Sequence, residues 1–76
     1  MFGLPTHTIY LIKKDGSREN VCMTDCSTKI EVRLEVRNLI QEYYNDKVEE
    51  FEKAEYVDKN NNVLYECSIN ECMEEL

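Results

Sequence analysis

Hydrophobic and polar positions change period several times along this chain, and each change marks an element. Residues 7–13, HTIYLIK, are β-branched and aromatic. In an extended strand Ile9 and Leu11 share one face, while Tyr10 and Ile12 share the other. Apolar side chains on both faces predict a central strand. Asp15-Gly16 follows within KKDGS, and ENVCMT then resumes the extended pattern. Two short apolar runs around Asp-Gly predict a β-hairpin.

Residues 30–37, IEVRLEVR, fit two periods at once. Ile30, Val32, Leu34 and Val36 alternate with Glu31, Arg33, Glu35 and Arg37, as in a strand. Extended to Tyr44, the same stretch also carries a helical stripe of Val32, Val36, Leu39, Ile40 and Tyr43. Thr28 with Glu31 three residues later is a capping-box pattern, with Ser27 as another cap. The preferred reading is a helix over 28–44, with Ile30 and Leu34 off the main stripe. The competing reading places a strand at 29–37 and a helix at 38–55, on a stripe of Ile40, Tyr44, Val48 and Phe51.

The next segment favours the first reading. AEYVDKNNNVLYECSI predicts a second hairpin, because Asn60-Asn61-Asn62 tolerate the positive φ that a tight turn requires. Val63, Tyr65, Cys67 and Ile69 alternate with Leu64, Glu66 and Ser68, a half-buried strand. Its partner needs residues 49–58, which a helix running to 55 would consume. The tail from Asn70 is either frayed or one helical turn. The layout is therefore ββαββ: one α+β domain spanning 1–76, an antiparallel sheet with one helix packed across a face.

Size sharpens this picture. A chain of 76 residues buries only about 60% of the surface that it exposes when unfolded, so packing must be good. With 42% hydrophobic and 33% charged residues the composition suits a soluble globular domain. No apolar run approaches the roughly 18 residues of a membrane span. MFGLPTHT has neither the basic nor the apolar region of a secretory signal, so a cytoplasmic protein is expected.

Charge divides the chain. Residues 1–41 hold five acids and six bases, a net of +1; residues 42–76 hold eleven acids and three bases, a net of −8. An acidic half repels nucleic acid and attracts basic surfaces. Direct nucleic-acid binding is thus disfavoured, and a host protein with a basic surface is the expected partner. The candidate partner-binding residues are Glu49, Glu50, Glu52, Glu55, Tyr56 and Asp58. Among the tyrosines, which suit interfaces, Tyr44 and Tyr56 are expected to be exposed.

Four cysteines form two close pairs, Cys22-x3-Cys26 and Cys67-x4-Cys72. A zinc site of Cys22, Cys26, Cys67 and Cys72 meets the loose spacing rule but lacks Cys-x2-Cys and flanking glycines, and is disfavoured. Four cysteines allow three disulfide connectivities, among which spacing does not choose. The third reading is plain core packing, since free cysteine behaves as a small hydrophobe. Cys67 and Cys22 suit the core, whereas Cys26 and Cys72 sit outside elements and are expected to be accessible. His7 has no catalytic neighbour in sequence, and there is no phosphate loop. Asp58-Lys59-Asn60-Asn61-Asn62 lacks the glycine and the closing Glu of a calcium loop. Neither an enzyme nor a cofactor is expected. A monomer or a homodimer suits the size, and an exposed sheet edge would serve self-association.

The order of strand, KKDG turn, strand, Ser/Thr-capped helix and VDKNNNVLY hairpin resembles small phage and mobile-element ββαββ proteins of the anti-CRISPR kind. The resemblance covers residues 8–69 in layout, and no functional residues carry over. It implies a small acidic inhibitor that binds a larger host protein, often one whose basic channel handles nucleic acid.

Overall fold

The computed structural model describes residues 3–74. Strands β1 (Thr8–Lys13) and β2 (Arg18–Met23) form the first hairpin, and β3 (Phe51–Val57) and β4 (Val63–Ser68) form the second. The sheet is antiparallel throughout, in the order β2-β1-β3-β4. β1 is central, as its two apolar faces predict. It pairs with β2 from Thr8–Met23 to Ile12–Arg18 and with β3 from Thr8–Val57 to Lys13–Phe51.

Helix α1 (Lys29–Tyr43) joins the hairpins. The helical reading of IEVRLEVR holds because the helix entry is specified chemically. Thr28, in extended conformation, accepts from the Glu31 N–H at 3.2 Å, while the Glu31 carboxylate accepts from the Ser27 N–H at 3.2 Å. Thr28 is therefore the cap, and Ser27 takes part through its backbone N–H. Val32, Val36 and Ile40 are buried against Ile9, Leu11 and Ala54 of the sheet. Each such side chain contributes about 1.5–3 kcal/mol when removed from water. Ile30 and Leu34 lie off this stripe and stay 57% and 42% exposed.

The helix exit corrects one expectation. Tyr43, placed on the buried stripe, is 71% exposed. Tyr44, expected to be exposed, is half-buried and meets Phe51 edge-on at 5.5 Å. Tyr44 is the C-cap, at φ −129° and ψ 18°, so its side chain departs from the helical progression and turns inward. A 3-10 helix (Asn45–Glu50) then occupies part of what was read as the strand 49–58, and β3 begins at Phe51. The tail is helical: α2 (Ile69–Met73) starts from a full capping box, in which Ser68 Oγ accepts from the Glu71 N–H and the Glu71 carboxylate accepts from the Ser68 N–H. The last two residues of that tail lie outside the described residues.

Both turns form where turn chemistry stands in the sequence. Gly16 has φ +91° and Asn61 has φ +67°. Asp15 Oδ1 accepts from the Ser17 N–H at 2.9 Å, and Asp58 Oδ1 accepts from the Asn60 and Asn62 N–H groups at 2.9 Å.

Candidate functional site

The acidic run between Glu49 and Asp58 is divided by the fold into three environments. Tyr56 is not a surface residue: it is 1% exposed, and this corrects its assignment to the partner-binding set. Period two places Ala54 and Tyr56 on the same side of β3, facing the core. Tyr56 stacks between His7, with ring centroids 5.3 Å apart, and Tyr65, at 6.0 Å. Its hydroxyl accepts from the Cys26 N–H at 2.6 Å and donates to the Cys26 carbonyl at 3.4 Å. Burial pushes the Tyr56 hydroxyl above the ordinary phenol range. Tyr56 thus ties the β2–α1 loop to the sheet.

Glu55 lies on the opposite, helix-free face of the sheet. Its carboxylate is 3.6 Å from Arg18 and 3.9 Å from Lys53, and Lys53 also reaches Glu66 at 3.0 Å. The Arg18 guanidinium sits 4.0 Å above the Tyr10 ring. The hydrogen bond to Glu66 holds the Lys53 ammonium above its usual range. Charges on this face are largely matched across β2, β1, β3 and β4. Asp58 is occupied in another way, since its carboxylate closes the β3–β4 turn. The Asn62 N–H, then the Asn62 side chain and the Asn60 N–H, hold its carboxyl below the usual range.

Glu49, Glu50 and Glu52 remain. Among the described residues none of the three has an ion-pair partner. Glu49 and Glu50 end the 3-10 helix, and Glu50 and Glu52 are exposed. A bulge sets their position: Ile12 pairs with Lys53 while Lys13 pairs with Phe51, leaving Glu52 as the extra residue on β3. The phase shift turns Phe51 into the core and pushes Glu52 out. The backbone N–H of Lys14 donates to the Glu50 carbonyl at 2.9 Å, fixing the first turn beside this segment. Here an open groove of about 400 Å³ has a floor of Val48, Phe51, Ile69 and Met73 and a rim that includes Glu49, Glu52 and Lys14. Sequence reasoning found the acids but not the groove, because α2 supplies one wall of it. The signal for α2 was present as Ser68-x-x-Glu71.

The cysteines separate into two environments. Among the described residues no group of three or more cysteine, histidine or acidic side chains is arranged to hold a metal. Cys22 and Cys26 are half-buried free thiols. Burial first, and the Glu35 carboxylate second, raise both above the ordinary thiol range, which disfavours a nucleophilic thiolate. Cys67 and Cys72 are both buried, with Sγ atoms 3.1 Å apart. Cys72 was expected to be accessible; α2 turns it into the core instead.

His7 does find a carboxylate in the fold. Its Nδ1 is 3.1 Å from Asp25 Oδ1 and 2.8 Å from Thr6 Oγ1. The same Asp25 oxygen accepts from the Thr6 and His7 N–H groups at 3.1 and 3.2 Å. The Thr6 N–H foremost, then that of His7, hold the Asp25 carboxyl below its usual range. The cluster fastens the N-terminal segment to the loop before α1.

Among the described residues no helix is long and apolar enough to cross a membrane. The fold defines a small α+β domain with a four-stranded antiparallel sheet and helices packed on it. No family model, no curated protein and no solved structure matches the chain.

Proposed function

We propose that this chain is a non-enzymatic binding protein that inhibits a larger host protein by presenting an acidic surface to a basic one. The observation that carries this reading is the set Glu49, Glu50 and Glu52, without ion-pair partners among the described residues, of which Glu49 and Glu52 stand at the rim of a groove with an apolar floor. Acids already satisfied by neighbours offer little to a partner. Acids without a base retain their field, which accelerates encounter with a basic surface and sets orientation. The apolar floor adds area that can leave water on binding. A partner that handles nucleic acid, such as a CRISPR-type defence complex in a host cytoplasm, has the required basic channel.

The test uses the purified protein as bait in lysates of candidate host cells, followed by affinity measurement on the captured partner. The affinity is expected to fall as salt rises, because exposed charges are screened over about 8–10 Å at 0.1–0.15 M salt. The triple variant E49Q/E50Q/E52Q is expected to bind about tenfold or more weakly at low salt. An affinity indifferent both to salt and to these three substitutions would defeat the acidic-surface mechanism.

One observation favours a second reading. β4 is an edge strand, and Val63 and Leu64 on it are exposed. Self-association through that edge would appear as a concentration-dependent mass in light scattering, abolished by Leu64→Lys.

A further inference from the structure

We propose that Cys67 and Cys72 are the site of an intramolecular disulfide, formed by exchange with a low-molecular-weight disulfide of the glutathione class. The two sulfur atoms already touch at 3.1 Å in the core. A disulfide has a bond length of about 2.05 Å, so closure needs about 1 Å of relative movement. Cys67 stands on β4 opposite Ala54, the smallest side chain of the core, and Cys72 stands on the inner side of α2. The five-residue helix is fastened at its start by the Ser68–Glu71 capping box. Arg33 Nη2 donates to the Glu71 carbonyl at 2.8 Å, and Lys29 lies 3.8 Å from the Glu71 carboxylate. These contacts hold Cys72 against Cys67, while α2, only five residues long, can open without the sheet.

The exchange proceeds in two balanced steps. The Cys67 thiolate attacks one sulfur of the small disulfide, forming a mixed disulfide and releasing one small thiolate. Cys72 then loses its proton to solvent or to that thiolate, and its sulfur attacks the Cys67 sulfur. The protein disulfide forms, the mixed disulfide breaks, and the second small thiolate leaves. Two protein thiols are oxidised and one small disulfide is reduced to two thiols. The same two steps balance with Cys67 and Cys72 exchanged, because either sulfur can be the donor in the contact between them. The product bridges β4 and α2 and fixes Ile69 and Met73, which form one wall of the groove.

The test is made on the full chain. Protein is incubated with oxidised glutathione, quenched in acid, denatured and alkylated, then analysed by intact mass and peptide mapping. The expected product is a Cys67–Cys72 crosslink, seen as a loss of about 2 Da, with Cys22 and Cys26 alkylated. Amide hydrogens of α2 are expected to exchange about tenfold more slowly after oxidation. Ser68→Ala, which removes the cap, is expected to accelerate crosslinking about fivefold by opening α2 more often. Alkylation of both Cys67 and Cys72, or crosslinks from either to Cys22 or Cys26, would overturn the assignment. An unchanged rate in Ser68→Ala would overturn the role of α2 as the point of access.

Discussion

Glu49, Glu50 and Glu52 stand only a few residues before Glu55 and Asp58, and the sequence presents them as one acidic run. The fold treats the two groups differently. Glu55 is matched by Arg18 and Lys53 on the sheet face, and Asp58 accepts the backbone N–H groups of its own turn. The earlier three have no ion-pair partner among the described residues, and Glu49 and Glu52 border a groove. Proximity along the chain is therefore a poor guide to a shared surface. In a strand, successive side chains point to opposite faces, so an acidic strand distributes its charge to two environments. What counts for a partner is charge left over after the protein's own bases and N–H groups are satisfied.

The sharpest way to break this comparison is at Tyr56, which lies between Glu55 and Val57 but belongs to neither surface. Tyr56→Ala is expected to destabilise the domain by about 3–5 kcal/mol, the usual cost of truncating a large buried aromatic. Such a loss could unfold a chain of this size, so Tyr56→Phe is the more discriminating variant. It keeps the ring stack and leaves the Cys26 N–H without its acceptor, at a cost of about 1–3 kcal/mol. Urea unfolding measures both. An unchanged unfolding midpoint in Tyr56→Phe would mean that the hydroxyl does not hold the β2–α1 loop.

The position of Tyr56 also shows how much of the molecule was legible in the sequence. Two hairpins, the central strand and the capped helix were readable because each rests on local chemistry: Asp15-Gly16, Asn60-Asn61-Asn62, and Thr28 with Glu31. The parity of β3 was not readable. Phe51 and Tyr56 are five residues apart, and an odd separation cannot place both inward on a regular strand. The bulge at Glu52 resolves this, and its location depends on pairing with β1, a partner about 40 residues away. The groove was hidden for a related reason. Ile69 continues the alternation of Tyr65 and Cys67, so a strand pattern masked the helix start at Ser68. The acids of the candidate site were visible, but which of them lacked a partner required the tertiary structure.

Next in size is the α2 wall. Ser68→Ala removes the side-chain acceptor of the capping box and is expected to cost about 1 kcal/mol by urea unfolding. Glu55→Gln should cost less, about 0.2–1 kcal/mol, because its ion pairs are partly exposed to solvent. If Glu55→Gln weakened partner binding as strongly as E49Q/E50Q/E52Q, the division between satisfied and unsatisfied acids would be wrong.

Acid titration sharpens the same division. Asp25 and Asp58 have folded-state carboxyls held below their ordinary values by backbone N–H donors. The unfolded chain therefore binds these protons more readily. Their contribution to stability is complete above the unfolded value of about 3.9 and is lost as pH falls through the lower folded values. Wild-type urea midpoints are expected to decline with pH below about 4, and D25N/D58N to decline less steeply. An identical slope in the variant would assign the acid sensitivity to other carboxyls.

The two hairpin turns solve one backbone problem with different residues, and the smallest expected effect is at the second. Gly16 and Asn61 both occupy positive φ, at +91° and +67°. A Cβ at Gly16 would meet nothing within 4 Å, so the cost of Gly16→Ala is conformational and not steric crowding by neighbours. It is expected to be about 1 kcal/mol or slightly more. Asn61 already carries a Cβ in the left-handed region, so Asn61→Gly removes strain while adding freedom to the unfolded chain. The two terms oppose each other, and the net change should stay within about 0.5 kcal/mol. The difference between the variants in urea unfolding isolates the backbone term. Equal losses at both turns would show that Asn61 is held by its surroundings, with Asp58 binding the Asn60 and Asn62 N–H groups on either side, and not by its own tolerance of positive φ.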